Sequence, residues 1–324
     1  MSHHERIPAY DELPVCRTAP PRSSWGLWGA DDQLGCLNLL APHRIADAAK
    51  LVTRGNVFSL NASLNLFDAP LFGRPPLEHH IDVINKGRSR DDVLSSFNTQ
   101  CSSQWDGLRH VRHSTYGFYN GMPETRLSIS SWAERGIGAR GVLLDLETYR
   151  ARQDRPLRYE TSDPIGVEDL AGAASDAGVE IRTGDVLVVH TGWLAWALRT
   201  SPAGLPVRFR APGLRPGRDM IEHLWNLHIA AIASDTPAVE AWPPGAFTTP
   251  EQRRATRDDP AAEVDTFMHG ELIALLGLPI GELWHTSGLA AACRQAGRWE
   301  FLLASAPINL PGGAASPSNA LAIL

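Results

Sequence analysis

The stretch Gln100-Cys-Ser-Ser-Gln104-Trp-Asp106-Gly-Leu-Arg-His110 sets four polar side chains, Gln100, Gln104, Asp106 and His110, at even spacings. In an extended segment side chains alternate between faces, so this spacing turns all four to one side. On a helix, at about 100° per residue, they would scatter, with Asp106 roughly 240° from Gln100. An extended reading presents a carboxylate, an imidazole and two amides to one cavity. A polar loop with Asp106-Gly107 as its turn would carry the same residues without a site. Cys101 lies inside the cluster and is a nucleophile by chemistry, but a small packed thiol is the simpler reading, since Cys is among the most buried residue types.

Other catalytic signatures are absent: the chain has no GxSxG elbow, Walker loop, HExxH pair or EF-hand loop. Gly136-Ile-Gly138-Ala-Arg-Gly141 matches GxGxxG, a fingerprint that needs a strand before it and a helix after it. Here Ser131-Trp-Ala-Glu134, with capping-box spacing for a short helix, precedes, and the apolar Val142-Leu-Leu-Asp-Leu follows. The glycines therefore read as a loop between helix and strand, and no dinucleotide site is expected.

Composition bounds the class. The chain has 324 residues, 43 % hydrophobic and 20 % charged, as in a soluble globular enzyme. A net charge of −6 gives no electrostatic footprint for nucleic acid. No apolar run approaches the roughly 18 residues of a membrane span, and the first thirty residues hold no signal-like core. Cys16, Cys36, Cys101 and Cys293 are scattered with no CxxC pair, which argues against a disulfide framework or a zinc module and fits a reducing cytoplasm.

The elements that must hold the cluster follow from punctuation. Residues 1–23 read as a flexible, loosely packed amino-terminal arm, and residues 24–324 as one catalytic domain without repeats. Pro42 opens a helix in which Ile45, Ala48, Ala49 and Val52 share a face, with Gly55 as its C′ residue. Strands are expected over 57–60 and 64–66, before a loop with Pro70, Pro75 and Pro76 and the pair His79-His80. A helix over 167–177 closes at Gly178, and 185–191 is a buried strand. Helices follow from Gly192 and over 218–226, with a short strand at 229–234. The stretch from Pro237 to Pro260 carries five prolines and reads as a lid or binding loop. A helix over 268–277 places His269 in its first turn. Another helix begins at Ser287, and 299–304 is the last clear strand.

Five stretches of this sequence resemble the cyclase family that includes bacterial kynurenine formamidase and isatin hydrolase. They are Trp28-Gly-Ala-Asp-Asp-Gln-Leu-Gly-Cys-Leu-Asn-Leu-Leu-Ala-Pro42, Gln100 to His110 aligned on HxxxHxDxxxH, and Gly184-Asp-Val-Leu-Val-Val-His-Thr-Gly-Trp193. His269 with Glu282 is the fourth, and Gly313-Ala-Ala-Ser-Pro317 with the apolar residues after it is the last. The resemblance implies an α/β fold, a single swivelling β/β/α domain with a barrel-like mixed sheet core and helices packed outside. It also implies a homodimer or homotetramer, and hydrolysis of amide or lactone bonds in small substrates with Zn²⁺ or Mn²⁺.

Carried over by position, Asp106, His269 and Glu282 are the metal ligands, and His110, Asp106 and Glu282 the catalytic groups. Gln100 and Gln104 stand where the motif has histidine. Amide oxygen is a harder, weaker ligand than imidazole, so one ion rather than two is expected, with less bias towards zinc. The two glutamines are expected either to stand behind the metal ligands and hold them or to bind substrate and a developing oxyanion, and Tyr116 and Tyr119 to line the pocket. A helix amino terminus beside His269 is expected to keep its ring neutral. The competing readings are a metal-free cyclase or lyase using Asp106, His110 and Glu282 for proton transfer, and a non-catalytic binding homologue.

Overall fold

Val142-Leu-Leu and Val186-Leu-Val-Val are unbroken apolar runs, the pattern of strands covered on both faces. In the structure, a computed structural model describing residues 6–201, 205, 208–247, 250, 251, 254 and 266–324, these runs are parallel neighbours in the middle of one large sheet. The strands in chain order are β1 (Val57–Ser59), β2 (Glu78–Ile84), β3 (Ser89–Ser96), β4 (Gln104–Asp106), β5 (Ile137–Asp145), β6 (Pro164–Ile165) and β7 (Val186–His190). They continue with β8 (Gly213–Leu214), β9 (Ala231–Ser234), β10 (Ile280–Glu282), β11 (Glu300–Ser305), β12 (Ala315–Pro317) and β13 (Ala320–Ile323).

Nine of them form a curled, half-barrel sheet in the order β1-β13-β11-β5-β7-β9-β10-β4-β12. β5, β7, β9 and β10 run parallel, and the flanking pairs are antiparallel. Helices pack around it, as expected for the mixed α/β architecture. Ile45 of the helix Pro42–Ala49 lies against Gly138 of β5, and the helices Val167–Asp176 and Arg218–Asn226 close another side. Leu143, Leu144, Leu187, Val188 and Ile232 are fully buried between these layers. Among the described residues no helix is long and apolar enough to cross a membrane.

Several local expectations are corrected. The first helix stops at Ala49 with Lys50 as its cap, so Gly55 takes its positive φ in the following loop instead of ending the helix. Residues 64–66 form a turn, not a strand. The short helix is Ser130–Arg135, and Ser131 gives its hydroxyl to Gln33 Oε1 rather than capping it. Helix does precede strand at the glycine run, but β5 begins at Ile137, so Gly138 and Gly141 are strand residues. At Gly141 a Cβ would run into the ring of Phe301 on β11, and that close packing is the reason for the glycine. Two strands, β12 and β13, follow the one expected to be last. Tyr10 and Leu13 are buried, and Tyr10 takes the Asn226 side chain on its backbone N–H. The arm is thus anchored at Tyr10 and Leu13, while residues 15–18 are exposed.

An antiparallel ribbon, β2 with β3, was not expected from the sequence and stands apart from the main sheet. Ile81 and Val83 project from one face of it and remain 53 % and 61 % exposed. Its alternation of polar and apolar residues is too weak to mark a half-buried strand, which is why the pattern carried little signal.

Candidate active site

β4 is three residues long and lies between β10 and β12. Its register sets Gln104 opposite Glu282 and Asp106 opposite Ile280. Directly opposed residues share a face, and Asp106 is two residues from Gln104, so Gln104, Asp106 and Glu282 all reach the same side. Trp105 points the other way into the core, as expected. It donates its indole N–H to Ser305 Oγ at 2.9 Å and meets Trp284 edge-on. Gln100 and His110 lie outside the strand, in turns, so the even spacing predicts their convergence while only residues 104–106 are extended.

The convergence is close. Gln104 Nε2 donates to Glu282 Oε2 at 2.8 Å and to Asp106 Oδ1 at 3.3 Å. Gln100 Nε2 donates to the same Asp106 oxygen at 3.0 Å and lies 3.2 Å from His110 Nδ1. The amides therefore hold the outer carboxylate oxygens. The inner ones turn to His269: Glu282 Oε1 is 3.1 Å from its Nε2, and Asp106 Oδ2 is 3.9 Å away. Asp106 Oδ2 is buried with no hydrogen-bond partner. Both glutamine nitrogens are thus engaged by carboxylates, the holding position of the two expected for them, rather than turned to substrate.

Protonation follows from burial and neighbours. Burial, with Asp106 adding repulsion, pushes Glu282 up to about 7 against the opposing pull of His269. Burial alone would lower His269, but the charges of Glu240 and Glu282 and their hydrogen bonds outweigh it and hold the imidazolium well above the usual histidine range. This overturns the expected neutral ring. His269 precedes a six-residue π-helical segment, Gly270–Leu275, and two carboxylates at hydrogen-bond distance dominate that short turn. His110 is shifted the other way: burial lowers it more than Asp106 raises it.

Glu240 was missed. It is fully buried, and its Oε1 accepts His269 Nδ1 at 2.9 Å and the Met268 backbone N–H at 3.1 Å. The available signal was a lone acid in the apolar run Pro-Ala-Val-Glu-Ala-Trp. It lies in the stretch expected to be a lid or binding loop, whose later part falls outside the described residues. Tyr116 and Tyr119 do not join the site. Tyr119 is buried in the core and donates its hydroxyl to Asp32, while Tyr116 sits against His113, 40 % exposed. Cys101 is a buried thiol that donates to the Pro75 carbonyl, and burial raises its pKa.

A cavity of about 160 Å³, open to solvent, lies beside His269 and Glu282. His110 borders it, and Phe72, Trp242 and Phe267 wall it. Asp106, His269 and Glu282 each offer one ligand atom, all within 4.8 Å of one another. A buried, unpartnered carboxylate oxygen beside an imidazole nitrogen and a second carboxylate fits a single divalent cation with open positions. A second group, Asp145, Glu147 and His190, is closed by other partners. Arg294 bonds Asp145 at 2.6 Å and Tyr159 bonds Glu147 at 2.7 Å.

Known proteins share this arrangement of elements. A crystal structure of a novel cyclase superposes with a TM-score of 0.76 at 28 % identity, covering 93 % of this chain and 99 % of that one. Isatin hydrolase A from Labrenzia aggregata, bound to benzyl benzoate, superposes at 0.56 with 14 % identity over 88 % and 98 % of the two chains. An isatin hydrolase bound to the product analogue thioisatinate gives 0.55 at 16 % identity over 85 % and 94 %. At such identities the two isatin hydrolases attest to the fold alone. No curated protein matches the chain. The family model described as "Putative cyclase" matches residues 43–241, more than half of the sequence, and the chain belongs to that family.

Proposed function

We propose that the protein is a hydrolase of a small amide, formamide, lactam or lactone, working with one divalent ion, Mn²⁺ or Zn²⁺, held by Asp106, His269 and Glu282. The observation that carries this reading is the buried, unpartnered Asp106 Oδ2 turned towards His269 and Glu282 at the cavity. Such an ion, when bound, supplies Lewis acidity towards a carbonyl and lowers the pKa of water towards about 7. His110, neutral near pH 7 because burial lowers its pKa, borders the cavity and takes the proton from the attacking water. Gln100 and Gln104 fix the two carboxylates so that their inner oxygens face the ion. Phe72, Trp242 and Phe267 exclude water and accept a flat substrate. The same proposal includes a homodimer or homotetramer, supported by the exposed apolar face of the β2–β3 ribbon, since an isolated two-stranded hairpin is marginal in water.

The test is metal analysis of the purified protein, then turnover of aryl formamides, cyclic imides and lactones after chelation and re-addition of Mn²⁺ or Zn²⁺. Undiminished turnover without metal sinks the metal assignment. A metal-free cyclase or lyase is the second reading, favoured by the two glutamine N–H groups that already satisfy the outer oxygens of Asp106 and Glu282. Products formed in ¹⁸O-labelled water separate the two readings, because only hydrolysis leaves solvent oxygen in the product.

A further inference from the structure

The cavity carries a cation whose outer edge the proposed hydrolysis leaves unassigned. Arg74 lines it, half-buried, with its guanidinium 5.0 Å from the centre of the Phe72 ring. Its described hydrogen bonds both come from Nη1, to the Gln100 carbonyl and to Gln104 Oε1. Nε and Nη2 have no acceptor among the described residues, and no carboxylate there lies within 4.0 Å of the guanidinium. Buried or pocket arginines ordinarily meet a carboxylate, because the planar fork presents paired N–H donors matched to two oxygens. The arginine beside Asp185 does so, with Arg140 Nη1 at 3.0 Å.

The rest of the cavity defines what such an anion is attached to. Trp242 and Phe267 stack in parallel, 5.4 Å apart with 6° between planes, and Phe72 meets Trp242 edge-on at 5.0 Å. Flat aromatic walls, a free guanidinium edge and the His269–Glu282 centre border one space. We propose that Arg74 is a specificity-determining residue that binds an anionic group, a carboxylate, carried by an aromatic substrate. The assignment rests on the reading of this cavity as the substrate site. Its test measures binding, so loss of the hydrolase reading and loss of this one are told apart.

The probes are the monoamides of isophthalic and terephthalic acid, compared with the corresponding neutral diamides. Each pair differs only by a carboxylate in place of an amide. Calorimetric titration of the wild-type protein is expected to show the better monoamide binding at least tenfold tighter than its diamide. Arg74→Met should abolish that preference while diamide affinity stays within about twofold, which also shows that the variant is folded. Arg74→Lys keeps the charge without the fork and should recover part of the preference. Equal weakening of both ligands would make Arg74 a support for Gln100 and Gln104 and overturn the assignment. So would a wild-type protein without the preference, or a preference that survives Arg74→Met.

Discussion

Glu240 sits behind His269, on the far side of the ring from Glu282, and Glu240→Gln isolates what its charge does. The amide is nearly isosteric, and its oxygen can still accept from His269 Nδ1 and Met268 N–H, where Glu240 Oε1 now sits at 2.9 and 3.1 Å. The imidazole keeps its orientation and loses a negative charge at contact distance. With an effective dielectric of about 20, that charge is worth at most about 6 kcal/mol to an imidazolium. Partners behind a metal-bound histidine typically contribute about 10- to 100-fold in metal affinity, or roughly 1.4–2.7 kcal/mol. The same substitution also loosens the proton on His269, which a metal ion must displace. The loss in Mn²⁺ or Zn²⁺ affinity should therefore grow with pH, as the competing proton leaves His269, and shrink as pH falls. Calorimetric titration of the metal-free protein at about pH 6 and about pH 9 reads both effects. Unchanged affinity at the higher pH would refute the reasoning, because a carboxylate that close to a ligating ring must change its basicity.

Metal binding to the wild-type protein should itself strengthen with pH. Glu282 must ionise to ligate, and with its pKa at about 7, affinity should rise about tenfold per unit below that pH from this group alone; a flat profile between pH 5 and 7 would contradict it. Gln104→Leu removes the donor that fixes Glu282 Oε2 and bridges to Asp106 Oδ1, and should cost at least tenfold in metal affinity while the fold persists by circular dichroism. Trp105→Ala empties a fully buried site and should cost about 3–5 kcal/mol in denaturant unfolding. Replacing Ile81 and Val83 with lysine should shift the protein towards monomer by light scattering without lowering its melting temperature, since neither side chain belongs to the core.

What the sequence made legible was the part governed by period and punctuation. The apolar runs at 142–144 and 186–189 and the helix 218–226 declared themselves, because covered strands and capped helices impose strong local patterns. Asp106 and Glu282 were legible from the motif resemblance, and their joint placement follows from a register no local rule encodes. Gln104 shows the boundary: its position is legible, but the choice between holding a ligand and touching substrate is not, because the amide's direction depends on a carboxylate 178 positions away, that of Glu282. Glu240 and Arg74 escaped because a single charge among prolines and aromatics has the same appearance in a solvated loop. The charge of His269 is hidden from the sequence for a related reason. A helix terminus is a local feature, and the two carboxylates that set its charge come from elsewhere.

The three-residue strand that carries Gln104 and Asp106 also bears on how the chain reaches its working form. β4 has no sequence-local partner: its neighbours are β10 and β12, contributed from 280–282 and 315–317. Pairings of such long sequence separation form only after large loops have closed, so they come late in folding. A chain could have assembled β5, β7 and β9 and still have its carboxylates far apart. Recovery of metal binding on refolding should then lag behind recovery of helical signal, so that competence reports completion of the fold rather than its beginning.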